Sequence, residues 1–320
     1  MPKLDPFFGV RTPVIFAHRG GGGEAAQSTE LAFRNAAHNF ADVLEIDLQI
    51  TKDEELVVWH GPDLDGVYNR EGKEIGTDIR KKNWSELEGA AWVANPGDRS
   101  AAHEDDRLLM TLETFMRLVD TLEGELVPRR VLHVNIELKA ARGDRWQKVW
   151  ADLFKVLDKH SVNRKVVVVS AKRGIIERFR KEDASHHGGR PRYATGLATS
   201  EQMAYRKYMP AKLRWALHAI SLFMKKRKRP LSAHPFETTH GLVTRRLVDK
   251  AQTEGGAVFA FLTRFGYPPL GFGAIDDLHG KKLRNKIETL LDKGVDGVMT
   301  DYPRKVAPLV CDFRDLHNPE

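Results

Sequence analysis

The chain has 320 residues, with 51 Lys and Arg against 44 Asp and Glu, a formal net charge of +7 and a pI near 9.3. Hydrophobic residues make up 41% and charged residues 30%, which suits a soluble protein with a large core; no stretch approaches about eighteen apolar residues, so a membrane-spanning helix is not expected. The single cysteine, Cys311, excludes an intrachain disulfide and a thiolate metal centre, so any metal must be held by carboxylates or histidines, while the basic balance favours an anionic partner without selecting phosphate esters, an anionic membrane or nucleic acid.

The N-terminus, MPKLDPFFGVRTPVIF, lacks a signal-type apolar run, and a cytoplasmic location is expected. Val14 to Ala17 reads as a buried strand that opens into His18, Arg19 and four glycines, Gly20 to Gly23. Ser28 or Thr29 can cap the following helix, with Leu31, Ala32, Phe33, Ala36, Ala37 and Phe40 on its apolar face. Next comes LEIDLQITKDEELVVWH, Leu44 to His60: apolar residues alternate with Glu45, Asp47 and Gln49, so Glu45 and Asp47 project from one face of a strand. The link Thr51 to Glu55 is too short for a crossover helix; Leu56 to His60 must return antiparallel and carry His60 towards Asp47. From Gly61 to about Met110 the chain is rich in Gly, Asp, Asn and charge, with a short helix around Trp84 to Leu87, and reads as an insertion over one end of the core.

After a helix over Leu112 to Leu122, the stretch Val131 to Leu138 is a strong strand that sets His133, Asn135, Glu137 and Lys139 on one face; His133 and Asn135 are expected to pack inside and support their neighbours. Further strands are predicted at Lys165 to Ser170, Arg192 to Leu197, Leu231 to Ala233, Ala257 to Leu262 and Gly297 to Asp301. Eight strands joined mostly by helices, with the hairpin strand as an extra, predict a closed parallel (β/α)8 barrel, an α/β fold, spanning residues 1–320 as one domain with an insertion at about 61–110. In such a barrel His18, Glu45, Asp47, Glu137, Lys139 and Asp301 all fall near the mouth formed by the strands' C-terminal ends. Three carboxylates suit a hard divalent cation, Arg19 and Lys139 suit a phosphate, and His18 and His60 suit proton transfer near neutral pH.

These residues resemble the glycerophosphodiester phosphodiesterases, TIM-barrel phosphodiesterases. That family has a His-Arg-Gly near the start, an acid pair two residues apart, a histidine after a Thr-Lys-Asp turn and a Glu-x-Lys strand. They stand here as His18-Arg19-Gly20, Glu45-Ile46-Asp47, Thr51-Lys52-Asp53 leading to His60, and Glu137-Leu138-Lys139, with GVDGVMTDYP from Gly294 to Pro303 similar to the family's closing strand. The resemblance implies Glu45, Asp47 and Glu137 as ligands of one Ca2+ or Mg2+, His18 and His60 as acid and base, and Arg19 and Lys139 as phosphate contacts. The reaction it implies is hydrolysis of a glycerophosphodiester to a phosphomonoester, sn-glycerol 3-phosphate, and an alcohol. An alternative is lysophospholipase D-type cleavage of a lysophospholipid at a membrane surface; a third reading is a non-catalytic phosphodiester-binding protein on the same scaffold.

Departures from the family pattern are Gln27-Ser28-Thr29 in place of Glu-Asn-Thr, His60-Gly61 in place of His-Asp, and FAFLTRF where tryptophan and threonine are usual. The first two remove a carboxylate near the site, and Glu24, Asp63 or Asp65 are the loop acids that could replace it. Residues 212–229, KLRWALHAISLFMKKRKR, read as a barrel helix with a basic C-terminus or as a peripheral contact with an anionic membrane; no nucleic-acid module surrounds them, and no nucleic-acid partner is expected. His186-His187-Gly188-Gly189 reads as a solvated loop whose histidines lack acid or cysteine partners.

Overall fold

The computed structural model describes residues 3–76, 78–92, 108–139, 145–162, 164–198, 235–262 and 275–317. Its strands are β1 (Val14–Ala17), β2 (Val43–Ile50), β3 (Leu56–Val58), β4 (Val67–Tyr68), β5 (Ala91–Trp92), β6 (His133–Leu138), β7 (Val166–Ser170), β8 (Ala194–Ala198), β9 (Pro235–Thr239), β10 (Ala257–Phe261) and β11 (Gly297–Thr300). The helices named below are α1 (Glu30–His38), α2 (Trp84–Leu87), α3 (Leu112–Glu125), α4 (Arg145–His160), α5 (Arg173–His186), α6 (Arg245–Thr253), α7 (Gly280–Leu291) and α8 (Pro303–His317). Strands β1, β2 and β6 to β11 pair in parallel, and β1 bonds to both β2 and β11, which closes the eight-stranded barrel that the alternation of elements predicts.

Alternation along each strand divides its side chains between lumen and helices. Phe16, Val43, Val167, Val169, Phe259 and Met299 fill the lumen, and Phe8 from the N-terminal segment plugs its lower end, 5.4 Å from the Phe16 ring and 5.7 Å from His133. On the outside, Leu44, Ile46, Leu48, Val134 and Ile136 pack against α1, α3, α4 and α5. The final helices α6, α7 and α8 close a second apolar layer over Ile15, Val258 and Val298.

Thr29 is the cap of α1, accepting from the Ala32 amide at 3.3 Å. Phe40 departs from the expected apolar face: the helix stops at His38, Phe40 takes φ 63°, and its ring is 60% exposed with Arg130 above it. The hairpin forms as expected, with Leu48 opposite Val58 in antiparallel register. The segment after it contains α2 and the small β4–β5 sheet, held by an apolar cluster of Trp59, Leu64, Val67, Ile79 and Leu87. The predicted strand Leu231 to Ala233 lies outside the described residues; the strand between β8 and β10 is β9, Pro235–Thr239, with proline in the first position, where a strand tolerates it. Residues 212–229 also lie outside the described residues. Among the described residues no helix is long and apolar enough to cross a membrane.

Candidate active site

The parallel register builds the site at one end of the barrel. Strand β2 pairs with β6 so that Asp47 lies opposite Glu137, and Ala17, just before His18, pairs with both Leu44 and Thr300. His18, Glu45, Glu137 and Asp301 thereby meet around Asp47, although they come from points up to 283 residues apart. Carboxylate oxygens of Glu45, Asp47 and Glu137 lie within 4.8 Å of one another, and all three side chains are buried.

Two cations hold this group together. Lys139 Nζ lies 2.9 Å from both Asp47 Oδ1 and Glu137 Oε2, and Arg19 Nε lies 2.9 Å from Asp47 Oδ2. Arg19 has left-handed backbone (φ 52°, ψ 35°), uncommon away from glycine, and its amide donates to Glu45 Oε2 at 2.8 Å. Its guanidinium also donates to Gln27 Oε1 at 3.0 Å, so the residue that departs from the family's acid serves as a neutral acceptor. Gly20 lets this turn press onto α1, because at φ 79° a Cβ there would come 2.9 Å from both Ala32 Cβ and Phe33 Cδ1.

The environment separates the acids. Burial, followed by the neighbouring Asp47 charge, pushes the Glu45 carboxyl well above its ordinary range despite Arg19. Burial would raise Asp47 as well, but Lys139 and Arg19, with His60 and His18 adding to them, hold it well below the carboxylate range. Both Asp47 oxygens are buried without a hydrogen bond of normal geometry. A hard divalent cation prefers such an all-oxygen donor set, and its charge would relieve the crowding that keeps Glu45 from ionising, so the residues present fit one.

His18 Nδ1 lies 2.7 Å from Asp301 Oδ1. Because a carboxylate accepts, Nδ1 carries the hydrogen and Nε2 remains the nitrogen able to exchange a proton. Burial opposes the Asp301 charge, but His18, through charge and hydrogen bond, and then Arg19 hold its carboxyl low. Asp301 in turn receives support from Asp276, whose Oδ2 accepts from the Asp301 amide at 3.2 Å and the Thr300 hydroxyl at 2.9 Å; burial pushes Asp276 up to about 6. His60 follows β3; its carbonyl accepts from Gln49 at 2.9 Å, and its charge acts on both Asp47 and Asp301. Of the loop acids expected as substitutes, Glu24 instead accepts from the Arg304 amide at 3.3 Å, at the start of α8, and Asp63 and Asp65 are exposed.

Sequence reasoning placed Asp301 at the mouth without its histidine partner, and it missed Glu237. Glu237, on β9, is 1% exposed and accepts a short hydrogen bond from Asn135 across the lumen. Burial first, then Glu137 and Asp47, push its carboxyl up to about 8, against the Asn135 hydrogen bond and Lys139. A glutamate between Phe236 and Thr238 was the available signal, obscured because the predicted strand, Leu231 to Ala233, ended before it. Asn135 thus supports a lumen contact, as expected, while His133 lies lower and accepts the Lys165 amide at 3.0 Å.

A parallel barrel that gathers buried acids, two cations and two histidines at its mouth is built as a hydrolase of phosphoric diesters. The chain belongs to the Glycerophosphoryl diester phosphodiesterase family, whose model matches residues 18–305. A glycerophosphodiester phosphodiesterase of Bacillus altitudinis is 24% identical over 300 residues, covering 92% of this chain and 97% of its own. The structure of an Oleispira antarctica phosphodiesterase in complex with the product sn-glycerol-3-phosphate superposes with a TM-score of 0.62 at 18% identity, covering 93% of this chain and 97% of that one. Human lysophospholipase D GDPD1 is 48% identical over 48 residues, 15% of each chain.

Proposed function

We propose that the mouth hydrolyses glycerophosphodiesters to sn-glycerol 3-phosphate and an alcohol, with Glu45, Asp47 and Glu137 holding one Ca2+ or Mg2+ and His18 and His60 transferring protons. The observation that carries this reading is the convergence of the three acids, Arg19 and Lys139 on one buried point beside the His18–Asp301 pair. When bound, the divalent cation supplies charge to the phosphoryl oxygens. Arg19 and Lys139, which already contact the acid cluster, pair with the phosphate. One histidine takes the proton from the attacking oxygen; the other donates a proton to the departing alcohol as its P–O bond breaks. Asp301 keeps His18 Nε2 turned to this task by fixing the hydrogen on Nδ1.

Lysophospholipase D-type cleavage uses the same phosphate chemistry on a lipid, and the local identity to a protein of that name favours keeping it as the second reading. The two separate by product analysis on glycerophosphocholine and lysophosphatidylcholine in parallel, with and without added calcium, magnesium or manganese. Release of sn-glycerol 3-phosphate and choline from the first, dependent on a divalent ion, is the expected result. Turnover of neither substrate with any metal would overturn both readings and leave the binding-protein interpretation, which rests on Gln27 and Gly61.

A further inference from the structure

At the end of the barrel opposite the mouth, where helices lead into strands, α4 supplies Asp158 and α5 ends with Asp183, His186 and the following His187. His186 Nε2 lies 3.2 Å from Asp158 Oδ2, and His187 Nε2 lies 3.0 Å from Oδ1 and 3.2 Å from Oδ2. These ligand atoms all fall within 4.8 Å of one another. The expectation of a solvated loop without acid partners is therefore corrected: the acids come from the preceding helix and from one turn earlier on α5.

The orientation of His187 is decided by Asp183. Its Nδ1 lies 2.7 Å from Asp183 Oδ1 and 3.0 Å from the Asp183 carbonyl oxygen, two acceptors, so Nδ1 carries the hydrogen. Asp183 is fully buried and its other oxygen accepts the Tyr193 amide at 3.0 Å, which fixes the carboxylate and hence the ring. A neutral His187 then turns the Nε2 lone pair onto the Asp158 carboxylate, a repulsive contact unless a cation, either a proton or a metal, lies between them. Asp158 itself is divided in the same sense. Oδ1 takes the Tyr193 hydroxyl at 2.6 Å and Arg192 at 3.1 Å and also lies 3.0 Å from His187 Nε2, whereas Oδ2 faces only the two imidazoles, each at 3.2 Å.

Two imidazole nitrogens and one carboxylate oxygen, with a carboxylate behind one imidazole, form the donor set of a borderline divalent metal. Metal–ligand bonds of about 2.0 to 2.2 Å place tetrahedral ligands roughly 3.3 Å apart, close to the spacing of Oδ2 from each histidine. The nitrogen donors select Zn2+ and its congeners over the hard cations that the all-oxygen mouth suits. We propose that Asp158, His186 and His187 form a second metal site for Zn2+, oriented by Asp183, which clasps α4, α5 and the lead into β8. Its position at the N-terminal face assigns it to stability rather than to turnover. His186 and Asp158 are 40% and 27% exposed, so the ion has a path from solvent.

The test uses the full chain after chelation, in excess Mg2+ so that the oxygen-lined mouth is saturated, titrated with Zn2+ by calorimetry and with Co2+ as a spectroscopic probe. Expected are one Zn2+ per chain, a rise in melting temperature, and a visible Co2+ band of the intensity that a four-coordinate site gives. His186→Ala and His187→Ala should each weaken Zn2+ at least tenfold, Asp183→Asn about 10 to 100-fold through ring orientation, and the double histidine variant should lose the band. Phosphodiester turnover in Mg2+ should stay unchanged in the histidine variants. His186→Gln, at the exposed position, serves if removal of His187 prevents folding. Absence of saturable Zn2+ binding in excess Mg2+, or equal binding by wild type and the double variant, would overturn the site and leave a proton-bridged ion pair only.

Discussion

Lys139→Met removes one of the cations that hold the acid cluster while keeping an unbranched stem of similar length. Lys139 is 6% exposed and touches Asp47 and Glu137 at 2.9 Å each, within a group whose three carboxylates lie inside 4.8 Å. At an effective dielectric near 20, two unit charges about 5 Å apart repel by about 3 kcal/mol, and breaking a buried pair by removing one partner costs about 3 to 5 kcal/mol. The metal-free variant should therefore lose stability of that order, a fall in melting temperature of about 4 to 8 °C for a chain of this size. On the proposed reading, a divalent cation held by Glu45, Asp47 and Glu137 would replace the missing charge. Denaturant unfolding of wild type and variant, with chelator and with saturating Ca2+ or Mg2+, should show the gap narrowing to about 1 kcal/mol when the ion is present. With the ion present, turnover should fall as well, because on the proposed reading Lys139 contacts the phosphate. An equal stability loss with and without the ion would refute the shared role of lysine and metal, and no loss in chelator would refute the electrostatic account of the cluster.

Replacing His18 or His60 with Ala should lower turnover of an unactivated diester by about a hundredfold or more, while metal titrations stay at wild-type values. A nitrophenyl ester, whose leaving group departs without protonation, should rescue the variant that lacks the acid and leave the other impaired; wild-type rates in both would make the histidines structural. Gly20→Ala should cost about 1 to 3 kcal/mol of stability and reduce turnover further than stability explains, since the new Cβ at φ 79° would meet Ala32 and Phe33 and displace Arg19; an active, fully stable variant would count against the strained turn. His133 gives a pH test. Burial pushes its imidazole down to about 4, so the unfolded chain takes up a proton near pH 6.5 and the folded chain only near pH 4. Its contribution is complete above pH 6.5 and is lost as pH falls towards 4, by at most about 3 kcal/mol; in His133→Asn, unfolding free energies measured from pH 7 to 4 should fall less steeply than in wild type.

Much of the site was legible because strand periodicity is local. The alternation around Glu45 and Asp47 sends both into one face, the short link after Thr51 forces His60 back beside them, and Glu137 and Lys139 end a strand of the same type. The eight-strand count held, and the described strand Pro235–Thr239 follows closely on the predicted stretch, where KRKRPLSAHPFETT offers no clean apolar run to set its bounds. Phe40 was assigned to the apolar face because helical spacing continues past the point where the backbone actually turns. Periodicity gives the direction of a side chain but not its partner. Only closure of the barrel set Asp301 against His18, 283 residues away in sequence, and Glu237 against Asn135 across the lumen; only packing of α4 on α5 brought Asp158 to His186 and His187. Those contacts depend on strand register and helix placement, which arise from the packing of the whole chain, so no local stretch of the sequence contains them.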